Sequence, residues 1–207
     1  MNEFKTSLSQ MVFWVSPQNI CYCNPSSNYT DINQHEKDRM HPHAFYDRGY
    51  FYESERKGEI LTGNWDKATL KFEDLLEYKA LYNHAKGIEK WSLSIFAKRV
   101  KDYILMNNNE LHGYCSFSNE FDSVDDFIKG REVQINTLIK SIRMNGVIPT
   151  AGVDCQNSNL DDISVNISRT GKLLFNNRGH HRLSIAKIFN IKLIPVQIIV
   201  WHRGVFI

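Results

Sequence analysis

The feature that most constrains the fold is the order of short elements in the C-terminal part of the chain. Ile163–Ile167 alternate apolar and polar side chains, which predicts a half-buried strand. Residues 169–172 form a turn, and Leu173–Phe175 return as the second strand of a β-hairpin. A short helix then ends at Asn190, a residue that tolerates the left-handed cap conformation, and residues 194–200 predict a closing strand. This order of elements predicts an α/β fold built on a small mixed sheet.

Three longer helices are predicted before the hairpin. Apolar residues at three- and four-residue spacing predict the first over residues 66–87, with Gly87 as its C-terminal cap. The second covers residues 92–106, and the third runs from an N-cap at Ser123 to residue 145. The expected buried stripe of the second helix consists of Ile95, Phe96, Val100, Tyr103 and Ile104.

The N-terminal region is expected to form an extension to this core. Residues 11–15 are apolar and stop at Ser16 and Pro17, which predicts a short strand and a turn. Residues 24–43 contain few apolar side chains and predict a long loop. We therefore divide the chain into a helical N-terminal extension, residues 1–120, and a core, residues 121–207.

The segment Gly179-His180-His181-Arg182 carries the clearest chemical signal. A glycine between a strand and a helix lets the backbone bend and lets a ligand approach the main chain. The first N–H groups of the following helix lie at the positive end of its dipole. Arg182 adds a planar fork of donors, and the two histidines add further donors or an acid/base group. The pattern predicts a small anion site, most naturally for phosphate.

The charge distribution agrees with a small site and argues against a bulk DNA binder. The whole chain has 25 Lys and Arg against 23 Asp and Glu, a net charge of only +2. Binding to a length of duplex needs a concentrated basic surface. Residues 169–192, however, contain no Asp or Glu. The basic residues of that segment are Arg169, Lys172, Arg178, Arg182, Lys187 and Lys192.

Two segments resemble the nucleotide-binding core of the ParB/sulfiredoxin-like superfamily, in the order expected for it. The first resemblance lies in residues 171–200, and the second lies upstream in residues 134–149, a helix and turn. Together they cover roughly residues 124–200. The matching positions are Gly179, His181, Arg182, Ala186, Ile194, Pro195 and Val196, and upstream Leu138, Ser141, Ile142, Gly146 and Pro149.

This resemblance implies a nucleotide site that binds ATP or CTP, with Mg²⁺. It places the nucleotide phosphates at the Gly179–Arg182 corner. A phosphoryl-transfer enzyme would also need a carboxylate, for which the resemblance suggests Glu132 on the upstream helix. The expected site residues are Asn177, Gly179, His180, His181 and Arg182 for the nucleotide, and His181, as an orienting group, with Glu132 for catalysis.

Departures from the superfamily pattern narrow the activity. Sulfiredoxins have a catalytic cysteine directly after the glycine, where this chain has His180, so we do not expect sulfinic acid reduction. ParB proteins follow the core with a DNA-binding helix-turn-helix module, for which no sequence follows here. Free-serine kinases of the superfamily resemble the Gly-His-His-Arg segment but have an aspartate at the position of Arg178.

Three classes of function remain open. The first is a nucleotide-binding protein that transfers a phosphoryl group to a small acceptor. The second is a non-catalytic module that nucleotide controls or that associates with DNA. The third is a nuclease, which is weakened because no convincing carboxylate cluster for two metal ions is present in the sequence.

Other chemistry-bearing residues are given structural interpretations. Asp66 is interpreted as a helix-start residue and Trp65 as a buried anchor, with a place near Mg²⁺ or a base as the alternative. Residues 201–203 are predicted to cover a sheet edge rather than to line the pocket of Arg182. No metal site is predicted, because the spacing of the possible ligands fits no standard zinc pattern. Those ligands are Cys21, Cys23, His35, His41 and His43.

The sequence also predicts a cytoplasmic protein without a membrane partner. No apolar run approaches the roughly 18 residues that a membrane span requires. Four cysteines in 207 residues are too few for a disulfide scaffold. The apolar residues 11–15 are too short a run for a secretory signal.

Overall fold

The fold is built around one mixed β-sheet with helices packed against it. The computed structural model describes residues 12–23, 58–67, 69–106, 121, 123–148, 163–176 and 178–207. The strands are β1 (Val12–Val15), β2 (Tyr22–Cys23), β3 (Glu59–Leu61), β4 (Leu70–Lys71), β5 (Ile163–Ile167), β6 (Leu173–Phe175) and β7 (Ile194–His202). The helices are α1 (Leu76–Ala85), α2 (Ile95–Met106), α3 (Val124–Asn145) and α4 (His180–Ile188). This architecture confirms the predicted α/β class.

The longest strand, β7, lies inside the sheet and organises it. The strand order is β1-β7-β5-β6-β2-β4, and β3 also pairs with β7. The first half of β7 pairs antiparallel with β1, and its last residues pair parallel with β3. On its other side β7 pairs parallel with β5. The predicted hairpin is confirmed, since β5 and β6 pair antiparallel with Val165 opposite Phe175.

Both faces of β5 are buried, which the half-buried pattern in the sequence did not predict. Every residue of Ile163–Ile167 is buried. Ile163, Val165 and Ile167 join the main core, while the amide of Asn166 donates a hydrogen bond of 3.2 Å to the side chain of Asn176. A buried amide nitrogen without such a partner would be destabilising, so this bond offsets part of the cost of burying Asn166.

Helix α4 lies between the sheet and the other helices. Its Leu183, Ile185 and Ala186 are fully buried in the core shared with the sheet. Ile188 instead joins the second apolar cluster, which is formed mainly by α1, α2 and α3 and includes Trp91, Phe96 and Phe127. Each such buried apolar side chain stabilises the fold by roughly 1.5–3 kcal/mol relative to an exposed one. The position of α4 is therefore determined from two sides.

The ends of α3 agree with the sequence prediction. The hydroxyl of Ser123 accepts a hydrogen bond of 3.1 Å from the N–H of Asp126, as expected of an N-cap. Gly146 follows the helix with φ of 71°, and its N–H donates to the carbonyl of Ile142. The short helix α4 is likewise followed by Asn190 in a left-handed conformation, with φ of 53°.

The predicted helix over residues 66–87 is wrong in its first half. Residues 70–71 form β4, paired with β2, and a 3₁₀ turn at Phe72–Asp74 follows before α1 begins at Leu76. Asp66 is not a helix-start residue, because its carboxylate accepts hydrogen bonds from Arg169 in the β5–β6 turn. Pairing with strands distant in the sequence thus overrides a local helical pattern.

The second helix begins later than predicted, and its buried face differs by one residue. A 3₁₀ turn covers Trp91–Leu93, and α2 starts at Ile95. Phe96, Val100 and Ile104 are buried as expected, but the side chain of Ile95 is exposed. Ile95 lies four residues before the exposed Arg99 and so on the same face of α2, which points away from the core. The side chain of Tyr103 lies outside the described residues.

Trp201 and His202 do not cover a sheet edge, contrary to prediction, and the prediction for Arg203, in the 3₁₀ helix that follows, stays untested. Trp201 and His202 belong to β7, an interior strand, and pair there with Ile60 and Leu61 of β3. The ring of His202 is buried, and its Nε2 lies 3.0 Å from the carbonyl oxygen of Gly63. His202 is therefore a structural residue at the end of β7.

Elements from both predicted parts of the chain share the sheet and the core. The predicted strand at residues 11–15 is confirmed as β1, which pairs with β7. Strands β2, β3 and β4 also come from the N-terminal part and join the same sheet. The expected loop at residues 24–43 lies outside the described residues, and the division at residue 120 stays a prediction.

Within the described part of the chain, no helix has the length and apolar character needed to cross a membrane.

The Asp66–Arg169 pair generates a stability prediction. Nη2 of Arg169 lies 2.5 Å from Oδ1 of Asp66, and the side chain of Asp66 is only 3% exposed. Burial alone would raise the pKa of Asp66, but the hydrogen bonds and charge of Arg169 lower it from 3.8 to about 2. Asp66→Asn should therefore lower the Tm at pH 7 by roughly 2–6 °C.

The lowered pKa of Asp66 also determines how the Tm difference between wild type and Asp66→Asn changes with pH. Stabilisation by ionised Asp66 is complete above the ordinary pKa and is lost as the pH falls from about 4 toward 2, so the Tm difference between wild type and variant should narrow over that range. Asp74→Asn is the control, because its carboxylate is exposed and lies 3.5 Å from Lys79. Equal Tm values for the two variants at pH 7 would contradict the prediction.

Candidate functional site

The corner between β6 and α4 is held against the start of β5 by main-chain and side-chain hydrogen bonds. The N–H of Arg178 donates to the hydroxyl of Ser164 over 2.9 Å, and the N–H of Ser164 donates to the carbonyl of Arg178 over 3.2 Å. The N–H of Asn176 donates to the carbonyl of Ser164 over 2.9 Å. Ser164 thus fixes the path of the chain on both sides of Asn177, which itself lies outside the described residues.

Gly179 is required at this corner for two reasons. Its φ of 79° lies in the left-handed region, which L side chains rarely adopt. A Cβ at this position would also lie 2.8 Å from the Cα of Ile163 and 2.7 Å from its Cγ1. The close approach that the sequence predicted for a ligand is therefore made, on this side of Gly179, by the first residue of β5.

The first turn of α4 begins directly after Gly179. The carbonyl of Gly179 accepts the first bond of the helix, from the N–H of Leu183 over 2.8 Å. The N–H groups of His180, His181 and Arg182 precede that bond and lie at the positive end of the helix dipole. The guanidinium of Arg182 donates to the carbonyl of Ile148, the last described residue after α3. Arg182 therefore belongs to the first turn of α4, as the sequence predicted, and its guanidinium contacts the end of the segment after α3.

At least three of the six basic residues between residues 169 and 192 do not belong to this corner, since Lys172 lines a cavity near the hairpin turn. Arg169 binds Asp66 at the hairpin turn. The ammonium group of Lys187 is buried, donates to the carbonyls of Pro17 and Ile20, and lies 2.9 Å from a carboxylate oxygen of Glu73. Lys187 thus anchors α4 to the segment after β1. The basic residues of this segment therefore have different structural roles. Arg178 and Arg182 are the two that flank Gly179.

The side chains of His180 and His181 turn inward and meet Glu77 of α1. Nε2 of His180 lies 2.5 Å from Oε1 of Glu77, and Nε2 of His181 lies 2.9 Å from the same oxygen. The carboxylate side chain is 2% exposed, and the imidazoles are 21% and 15% exposed. The two rings are 4.1 Å apart between centroids. We call Glu77, His180 and His181 the Glu–His–His cluster.

The electrostatics of the cluster keep His181 uncharged near neutral pH. Burial is the main cause that lowers the pKa of His181 to about 4, and the neighbouring His180 lowers it further, while Glu77 opposes both. Nε2 of His181 is buried and has no assigned hydrogen-bond partner among the described residues, although Oε1 of Glu77 lies only 2.9 Å from it. A buried ring nitrogen without a hydrogen bond is uncommon in folded proteins.

Glu77 was not among the site residues predicted from the sequence, although a weak signal for it exists there. Glu77 lies three and four residues before Ala80 and Leu81, both buried, so it shares the apolar face of α1. A carboxylate on a buried helical face normally has a charged or metal partner. The pattern does not identify that partner, which is 103 residues away in the sequence.

The structure does not bring Glu132, the other expected catalytic residue, into the Glu–His–His cluster. Its carboxylate accepts a hydrogen bond of 2.8 Å from the N–H of Ser92, at the 3₁₀ turn before α2. Burial raises the pKa of Glu132, but the hydrogen bonds from Ser92 outweigh that effect and lower it. The described contacts give Glu132 the role of holding α3 to this turn.

A surface cavity of about 340 Å³ lies at the other end of the hairpin, not at the corner. Asp66 and Arg169 form part of its wall and neutralise one another. Lys172 also lines it, with its ammonium group 5.8 Å from the ring centroid of Tyr22. The cavity is therefore separate from the predicted phosphate corner. Its lining includes no residue of the first turn of α4, which forms that corner.

Fold and site together define an α/β protein with a glycine corner, a basic helix N-terminus and a buried Glu–His–His cluster. Comparisons with protein-family models, curated proteins and solved structures find no match to this chain. The geometry of the corner and of the cluster is therefore what indicates a function for this chain.

Alanine substitutions at Gly179 and Gly87 separate two reasons for the glycine at the corner, the left-handed φ and the close contact with Ile163. Gly87 also has a positive φ, 70°, but among the described residues nothing lies within 4 Å of a Cβ built there. Gly87→Ala should therefore lower the free energy of unfolding only by the conformational strain, roughly 1–2 kcal/mol. Gly179→Ala should lower it clearly more, because it adds the clash with the backbone of Ile163. Urea unfolding measures both values, and equal losses would show that the close contact is not made.

Proposed function

We propose that this protein binds a nucleotide, ATP or CTP, with the phosphates at the corner between β6 and α4. The observation that carries the proposal is the helix N-terminus of α4, which follows a left-handed glycine and is flanked by Arg178 and Arg182. Main-chain N–H groups and the helix dipole favour anions at such a position. Phosphoryl transfer to a small hydroxylated acceptor is the enzymatic form of this proposal.

The contacts of the corner refine which groups would bind phosphate. The side chains of His180 and His181 are directed to Glu77, so we assign the phosphate contacts chiefly to the main chain of Gly179–Arg182. The guanidinium of Arg182, placed beside the turn by Ile148, would pair with phosphate oxygens. His181 would then act by positioning the first turn of α4 rather than by touching the phosphate.

The charge at residue 178 also fits an anion better than a protein-bound Mg²⁺. Arg178 stands where the free-serine kinases that this segment resembles have an aspartate, and it adds positive charge beside the corner. Mg²⁺ prefers oxygen ligands, whereas the Glu–His–His cluster offers two ring nitrogens and one carboxylate. This set does not fit Mg²⁺, so in our proposal Mg²⁺ would accompany the nucleotide phosphates and no step is assigned to it.

Nucleotide binding is tested by thermal shift with a matched arginine control. ATP or CTP at about one hundred times its Kd should stabilise the protein by about 2.7 kcal/mol, which raises the Tm by roughly 5–10 °C. Arg182→Ala should weaken binding about 10- to 100-fold, because it removes charge-assisted hydrogen bonds. Arg99→Ala, an exposed arginine on α2, should leave affinity unchanged. No shift with ATP, CTP or GTP, with or without Mg²⁺, would overturn the proposal.

Turnover then separates the enzymatic form from the alternatives. Phosphoryl transfer predicts nucleotide consumption that depends on a small hydroxylated acceptor, whereas a nucleotide-controlled module predicts binding without acceptor-dependent consumption. A DNA-associated module predicts a mobility shift that weakens steeply with salt. We also propose a cytoplasmic location, on the ground that the cysteines are sparse and that Cys21 and Cys23 are free thiols.

A further inference from the structure

We propose that the Glu–His–His cluster binds one divalent transition-metal ion, of the class of Zn²⁺, through Glu77, His180 and His181. The inference does not depend on nucleotide binding, because it concerns the side chains that point inward from the corner. The sequence predicted no metal site, and the zinc ligands considered there were cysteines and histidines nearer the N-terminus, not Glu77, His180 and His181.

The donor atoms of the cluster already converge. One ligand atom from each residue lies within 4.8 Å of the other two, and both imidazoles approach Oε1 of Glu77, at 2.5 and 2.9 Å. Around a tetrahedral Zn²⁺ with bonds of about 2.0–2.2 Å, neighbouring ligand atoms are about 3.3–3.6 Å apart. The carboxylate would therefore have to move away from the rings by no more than about 1 Å, which side-chain rotation supplies.

Burial of the donors is the second observation. The side chain of Glu77 is 2% exposed, and Nε2 of His181 is buried without a hydrogen-bond partner among the described residues. A buried polar atom left in this state calls for a ligand, an ion or a water molecule. A metal ion would use the lone pair of that nitrogen and would compensate the buried carboxylate at the same time.

The donor types select the class of ion. Two imidazoles and one carboxylate suit Zn²⁺ and neighbouring transition metals, while Mg²⁺ and Ca²⁺ prefer sets made of oxygen atoms. Three protein ligands leave at least one coordination position for water or a small ligand. The backbone supports the arrangement from both sides, since His180 and His181 start α4 and Glu77 lies in the first turn of α1.

The test is a titration of metal-free protein, treated with a chelator and used without nucleotide. Zn²⁺ should bind at one ion per chain in isothermal titration calorimetry, and millimolar Mg²⁺ should not compete. Glu77→Gln and His180→Gln should each weaken Zn²⁺ binding at least 10-fold. Glu132→Gln should bind as wild type does, because Ser92 is the described partner of that carboxylate. Cys21→Ser should also bind normally, because its exposed thiol is not in the cluster.

X-ray absorption at the zinc edge of the wild-type complex tests the same site without any variant. It should show two imidazoles with oxygen ligands and no sulfur. Sulfur ligands, or unchanged affinity in folded Glu77→Gln protein, would overturn the proposal. An absence of binding by Zn²⁺, Co²⁺ and Fe²⁺ would also overturn it, and would leave the cluster as a polar link between α1 and α4. None of these results depends on whether a nucleotide binds.

Discussion

The contact of Gly179 with Ile163 determines where the rest of the site lies. Because the α-carbon of Gly179 has no side chain, the chain can turn against the first residue of β5 and start α4 there. Ser164 then holds Arg178 by two hydrogen bonds, so the corner has one path. That path directs the first two side chains of α4 inward, where α1 supplies Glu77.

The inward half of the site is physically unusual. A carboxylate that is 2% exposed lies beside the second apolar cluster, and both imidazoles approach the same oxygen of it. Burying such a group is destabilising unless partners compensate its charge. The proposed metal ion would bind at this inward half, and the proposed phosphate site would use the outward half of the same turn. The two proposals therefore address different faces of one short segment.

Local patterns predicted those elements whose stability depends on nearby residues. The hairpin, the Ser123 cap of α3 and the left-handed Asn190 after α4 all involve groups a few residues apart, and all were predicted. The helix over residues 66–87 failed in its first half because its residues find partners far away. Asp66 binds Arg169, and residues 70–71 pair with β2. A helical pattern cannot reveal such partners.

The sequence by itself determined the α/β class, the glycine corner and the identities of the basic and imidazole groups at it. Only the tertiary structure decided what those groups contact. It directed His180 and His181 to Glu77, occupied Lys187 with the backbone at Pro17 and Ile20, and placed Glu132 at Ser92. The physical reason is range: a turn or a cap is determined by neighbours in the chain, whereas residues 77 and 180 meet only because α1 and α4 pack together.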